Sequence, residues 1–393
     1  MLFIILLAAL LSCMEPVFGN IIVGYYPIWR HRAMSNVDFA NYTHINLAFA
    51  LPQQDGTLTF DGEKHLEETV LKLRATDTKV LLSVGGWSGE DSFPNILKNT
   101  IARRTLTFSI IGIMQEYYLD GVDINWEYPG REVNENNEAE RAGDVVNFYY
   151  FLLGLREQMD KAFGAGKLIT LALRLKPFDV PGSYIYNVTH FTRVVDWGNL
   201  MQYDVNGPWG ETTGPNAPLN FAPGNGTQLS FASAIDEWTR AGWPPGQLTG
   251  GVAFYGRAMT AVKDMMLDPE NQYQPKSKTH PFGDSDDVLL FPGRGQPPMY
   301  TGIWKWRNLR SEGVLNSTAS ARKPWVRNWD PVTQTPWLYN PTNKMFISYD
   351  DPDSLTTKVN YAKKQRVKGM MVWSIDQDRN GELLSVLRKV YGY

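Results

Sequence analysis

The hydrophobic pattern alternates between two lengths. Short apolar runs fall at IIVGYY (21–26), HINLAFA (44–50), KVLLSV (79–84), GVDIN (121–125), LITLALRL (168–175), NLMQYD (199–204), GGVAFY (250–255) and GMMVWS (369–374). Each has the length of a strand. Their near-continuous apolarity suits a parallel sheet covered on both faces. Between them lie stretches with helical spacing: Glu63–Ala75, Ala102–Tyr118, Glu138–Phe163, Ala232–Ala241 and Ser354–Lys364, with Glu382–Val390 closing the chain. Strands alternating with helices eight times over predict an α/β fold, a (β/α)8 TIM barrel.

One interval breaks the rhythm. Between FYGR (254–257) and GMMVW (369–373) the sequence is rich in Pro, Gly, Trp and Asn. It reads as a small α+β insertion domain at about 262–350, between the seventh and eighth strands. Residues 20–393 then form one barrel-type domain that carries this insertion. No internal repeat or low-complexity tail is present.

Composition narrows the picture. The chain has 393 residues, 43% of them hydrophobic, enough for a large core. A net charge of −3 argues against a nucleic-acid or acidic-membrane partner. The 13 Trp and 19 Tyr are an unusual supply of flat rings, as stacking on the apolar faces of sugars requires. The start, MLFIILLAALLSCMEPVFGN, has an apolar run from Leu2 to Leu11 and Val17 and Gly19 at cleavage positions. It predicts a signal peptide over 1–19, hence a secreted, extracellular protein. That run is shorter than the roughly 20 residues of a membrane span, so no span is expected. Cys13 is the one cysteine and lies inside this leader, leaving the remainder without disulfides. Sequons at Asn41, Asn187, Asn225 and Asn316 permit glycosylation.

The candidate chemistry sits where strands end. In LDGVDINWEYPG (119–130), Asp123, Asn125 and Glu127 stand at alternate positions and share one face of a strand. SVGGW (83–87), MQYD (201–204), FYGR (254–257) and VWSID (372–376) follow other predicted strands. Reacting groups of such barrels lie at the carboxyl ends of strands.

These residues resemble the family-18 glycoside hydrolases, the chitinases and chitinase-like proteins, whose fourth-strand pattern is DGxDxDWEYP. GYYPIW, THINLAFA and FISYDDPDSLTTKVNYAK extend the resemblance over nearly all of residues 20–393. It implies retaining hydrolysis assisted by the substrate's own acetamido oxygen, an exception to the two-carboxylate scheme. Glu127 would be the proton donor and then the base, with Asp123 and Asn125 beside it. Tyr203 would hold the acetamido oxygen. Asp204 and Arg257 would bind sugar, and Trp373 would form the floor. Tyr25, Trp29, Phe49, Trp87, Met201, Trp209 and Tyr255 complete the implied sugar-binding set. Chitin or chitooligosaccharide is the implied ligand, with no metal or organic cofactor, and the chain is expected to act as a monomer.

Plainer readings stand beside these. Asp120 and Asp123 also fit structural barrel carboxylates, and Asp120 favours that role. Gly85 and Gly86 suit a tight turn. Trp304, Trp306 and Trp325 read as core, and Arg257 equally as an internal salt bridge. His31, His44, His65, His190 and His280 show no metal spacing.

Two departures from the family matter. Asn125 stands where the family has Asp; it keeps the shape without the charge. Arg174 and Lys176, in LALRLKPF, stand where the family has small uncharged residues. One of these cations is expected to face the barrel, narrowing the deepest subsite or pairing with Asp123 or Glu127; an outward-turned Arg174 is the alternative. Three functions follow: a chitin hydrolase with reduced activity, which the retained Glu127 favours; a non-hydrolytic chitin-binding lectin; and, more weakly, a hydrolase of N-glycan cores.

Overall fold

The computed structural model describes residues 21–391 except 35–36, 61, 132–137, 181–182, 185–186 and 291–296. The expected leader over 1–19 lies outside the described residues. Eight parallel strands form the central barrel: β1 Ile21–Pro27, β2 His44–Pro52, β3 Lys79–Gly85, β4 Gly121–Asn125, β5 Leu168–Leu173, β6 Trp197–Leu200, β7 Leu248–Ala253 and β8 Gly369–Trp373. Each pairs in parallel with the next, and β8 pairs with β1, so the sheet closes into a barrel.

Strand alternation explains how the barrel is filled. Side chains at successive positions point to opposite faces. In β4, Val122 and Ile124 join the large core between strands and helices, together with Leu82, Val84, Leu106 and Ile110. The intervening Asp123 and Asn125 are equally buried. A second cluster groups Val23, Tyr25, Ala172, Trp197, Ala253 and Met371, the inward set of other strands. Helices Leu66–Arg74, Thr100–Glu116, Glu138–Phe163, Phe231–Arg240 and Pro352–Lys364 follow the strands they were expected to follow. At the chain end only Leu384–Leu387 is α-helical, and a 3-10 turn continues over Arg388–Tyr391.

Three strand ends differ from the sequence reading. β5 stops at Leu173 and β6 at Leu200, because the Met201 N–H bonds to the Leu173 carbonyl and the chain then turns out. Buried Gln202 holds that turn by donating to the Phe231 carbonyl at 2.7 Å and accepting from the Gly251 N–H at 2.7 Å. Asp204 then adopts a φ of 55°, which turns its side chain away from the strand line. β7 stops at Ala253, and Tyr255–Thr260 is already a strand of another sheet. That sheet is antiparallel, in the order 303–305, 255–260, 345–348, 335–340 and 326–330. Met259, Met265, Trp337, Tyr339 and Phe346 pack together within it. Arg257 therefore stands on this sheet and not on the barrel.

A charged joint ties this sheet back to the barrel. Asp351 caps helix Pro352–Lys364 through a capping box with Ser354, and Pro352 occupies the first helical turn. Its other carboxylate oxygen pairs with Arg327 at 2.6 Å. Next door, Asp350 holds the Lys358 ammonium at 2.5 and 2.6 Å, and that side chain has no exposure. Asp350→Ala leaves a buried ammonium without this counter-ion. It should destabilise the protein by about 3–5 kcal/mol in urea unfolding, and adding Lys358→Met should recover most of the loss.

Candidate active site

The floor of the barrel is built around one carboxylate. Asp123 is fully buried. Its Oδ2 accepts from Tyr25 Oη and Ser83 Oγ, both at 2.8 Å. Its Oδ1 accepts from Thr170 Oγ1 at 2.6 Å and Asn199 Nδ2 at 3.2 Å. Asn199 is oriented in turn, because its Oδ1 accepts from Trp197 Nε1 at 3.0 Å and Thr249 Oγ1 at 2.8 Å. Burial raises the Asp123 pKa, and the four donors oppose that rise. Ser83, Thr170, Asn199 and Thr249 were not singled out from sequence. The signal was available: each is a polar residue inside an apolar strand.

Asn125 ends β4, 3% exposed. Its side chain faces Glu127 and favours the charged carboxylate. Its Oδ1 is buried and has no hydrogen-bond partner among the described residues. A buried carbonyl oxygen left in this way is costly. The Asn125 backbone is fixed by the glycine pair. Gly86 N–H donates to the Asn125 carbonyl at 2.8 Å. Gly85, at φ 109°, passes so close that a Cβ there would collide with the same oxygen.

Glu127 follows β4 and is half-buried. Burial, and then the Asp204 carboxylate, push its pKa up to about 7, against hydrogen bonds from Asn125 and Tyr128. Such a group holds its proton near neutral pH yet can release it, as a general acid and base must. Tyr203 is 8% exposed, and burial keeps its phenol neutral. Among the described residues its hydroxyl meets only the Met371 sulfur at 3.9 Å, a weak acceptor, so its proton is available to a better one.

Aromatic rings line the rest. Trp373 stacks on Phe49 at 5.5 Å and 14° and meets Tyr25 at 5.6 Å. Trp29 lies 6.0 Å from Phe49 and is 41% exposed. Met201 and Tyr255 are buried in the same cluster as Tyr25 and Tyr203. Arg257 Nε donates to Asp204 Oδ1 at 2.8 Å, and its guanidinium lies 5.2 Å from the Trp209 ring and 5.3 Å from the Tyr255 ring. Arg257 is thus a salt-bridge residue that also supports an exposed Trp. Trp87, 70% exposed, stands outside these ring contacts, on the turn after β3.

Among the described residues, Arg174 pairs with Asp179 and not with Asp123 or Glu127. It lies just past β5, and its guanidinium stacks over Tyr128. The pairing follows from the early end of β5, which carries Arg174 out of the strand. Lys176 is half-buried in the same loop. Asp120 accepts from the Val80 N–H at 2.9 Å at the opposite end of β4, a structural role. Trp304 and Trp306 are buried, and Trp306 Nε1 donates to Glu382 at 2.8 Å. Among the described residues, no three His, Cys, Asp or Glu side chains are grouped to hold a metal.

The raised Glu127 pKa couples stability to pH. Above the ordinary carboxylate value the unfolded chain has released this proton, while the folded protein still holds it up to about pH 7. Glu127 therefore stabilises less and less as pH rises from about 4.5 to about 7, and the penalty is complete above that. Glu127→Gln removes the titration. The melting temperature of Glu127→Gln should gain on the native chain across that window and hold a constant lead at higher pH.

Comparison with known proteins meets this geometry. The sequence profile of glycosyl hydrolases family 18 matches residues 21–378. A chitinase-like effector of Moniliophthora roreri is 31% identical, covering 99% of this chain and 98% of its own. A crystal structure of a chitinase from Rhizomucor miehei superposes with a TM-score of 0.84 at 29% identity, covering 95% of this chain and 100% of its own. A group IV chitinase of Ostrinia furnacalis, in complex with allosamidin, gives 0.76 at 26% identity, covering 94% and 98%. With a closed parallel barrel and this match over residues 21–378, the chain belongs to the family 18 glycosyl hydrolases.

Proposed function

We propose that the protein is a secreted hydrolase of β-1,4-linked N-acetylglucosamine polymers that binds its sugar well and turns it over slowly. The observation that carries this reading is the pairing of an intact Glu127, pKa about 7, with a neutral Asn125 whose Oδ1 has no partner among the described residues. The supporting relatives are named chitinases or a chitinase-like effector. Among the described residues no helix is long and apolar enough to cross a membrane.

The chemistry follows from the groups present. A sugar over Trp373 places its acetamido N–H toward Asn125 Oδ1 and its acetamido oxygen toward the Tyr203 hydroxyl. That oxygen attacks the anomeric carbon while the glycosidic C–O bond breaks. Glu127 gives its proton to the leaving oxygen. The ring now formed is a positively charged oxazolinium. Water then attacks the anomeric carbon, Glu127 takes its proton, and the acetamido group is restored with retained configuration. No metal or organic cofactor enters these steps.

Asn125 weakens the slow step in particular. An Asp there would present a negative charge to the oxazolinium; the amide presents a dipole. Losing one preorganised electrostatic partner lowers kcat by roughly 10²–10³. Ground-state binding suffers little, because the positive charge develops only later. A second reading, a lectin with no turnover, rests on the same Asn125 and differs only in degree.

Hydrolysis and binding of N-acetylglucosamine oligomers by the native chain and Asn125→Asp test the proposal. Asn125→Asp should raise kcat by roughly 10²–10³ and leave the Kd within about threefold. Equal turnover by the two proteins contradicts the role given to Asn125. A native chain with no turnover, restored by Asn125→Asp, selects the lectin reading. Absence of oligomer binding overturns both.

A further inference from the structure

Arg174 occupies a place that the function above does not use. Its backbone is anchored, since its carbonyl accepts from Trp238 Nε1 at 2.8 Å. Four residues on, buried Phe178 packs edge-on against Trp238 at 5.3 Å. The guanidinium is only 16% exposed and is paired with the Asp179 carboxylate. It also lies 5.6 Å from the centre of the Tyr128 ring. Arg131 approaches the same ring at 5.7 Å. Tyr128 directly follows Glu127, and its ring packs against the cluster of Tyr25, Tyr203 and Tyr255. The two loops also meet through backbone: a Cβ on Gly130 would collide with the Asp179 carbonyl oxygen.

We propose that Arg174 is a positioning residue that, with Asp179, clamps Tyr128 and so fixes the turn carrying the Glu127 carboxyl. A carboxyl that transfers a proton must be held to a fraction of an ångström. The Glu127–Gly130 turn leaves the sheet and has no ladder to hold it. The planar guanidinium supplies what the ladder does not. It binds Asp179 through Nη1 while its centre lies over the Tyr128 ring, a combination that an ammonium cannot reproduce. By filling the space beside Tyr128 it also keeps water from the Glu127 side of the cleft. Arg174 therefore acts through Tyr128, without touching the sugar.

The test reads Glu127 directly, without sugar, by carbon-13 NMR titration of labelled glutamate in the native chain, Arg174→Ala, Arg174→Lys and Asp179→Asn. Loosening the clamp admits water to the carboxyl. Arg174→Ala should lower the Glu127 midpoint by about half a pH unit or more, Asp179→Asn should move it the same way, and Arg174→Lys should recover less than half of the change. A second readout rests on the hydrolase reading: in the Asn125→Asp background, Arg174→Ala should cut kcat about tenfold and move the alkaline limb of the pH–rate profile to lower pH. A midpoint that stays put while the fold is intact overturns the proposal. So does a midpoint that rises, because removing a directly acting cation would raise it. If Asn125→Asp shows no hydrolysis while the titration shifts as expected, the hydrolase reading fails and the clamp stands.

Discussion

A carboxylate sealed inside a barrel has to be solvated by the protein itself, and the whole site depends on how Asp123 meets that demand. Its four donors come from β1, β3, β5 and β6, so one side chain cross-ties half of the barrel strands from within. Desertion of any donor leaves a buried charge less compensated, which makes the network cooperative. The network also pins the β4 register. A slip of one residue would turn Asp123 into the helix layer and bring Val122 or Ile124 inward. With the register held, Asn125 and Glu127 emerge on the same side at the mouth.

Asp123 is therefore fully engaged as an acceptor and is not a spare charge for the reaction. That gives the neutral residue at 125 its weight. Asn125, an amide that offers only a dipole, stands between that committed carboxylate and Glu127. What the proposed mechanism leaves for the reaction is a proton donor with a suitable pKa, a neutral phenol at Tyr203 and a stack of rings. Under the proposed function, these groups recognise an N-acetylated sugar. They do less for a cation that forms for a moment between two neutral states.

Much of the fold and site is legible in the sequence because the relevant signals are periodic. The strands announce themselves as apolar runs, and the alternation of Asp123, Asn125 and Glu127 declares a shared face by spacing alone. Glu127, Tyr203 and Trp373 are placed by resemblance to a family, and periodicity alone would leave Trp373 in the core. What stays hidden depends on contacts far apart in the chain. The donors to Asp123 are 98, 40, 47 and 76 residues away from it. Arg174 reads as an intruder in the barrel because LALRL looks like one continuous strand. In the structure β5 ends one residue before it, and the cation turns to Asp179 and Tyr128. Strand ends are set by where the neighbouring strand stops offering partners, which no local pattern records.

The central claim is that Asn125 separates holding the sugar from stabilising the charge that forms on it. The most direct measurement is calorimetric: the affinities of a neutral N-acetylglucosamine oligomer and of a cationic oxazolinium mimic for the native chain and for Asn125→Asp. The exchange should tighten the cationic mimic by roughly 10²-fold or more while the neutral oligomer changes less than about threefold. Equal changes for the two ligands would show that residue 125 governs binding and charge together, and would contradict that claim.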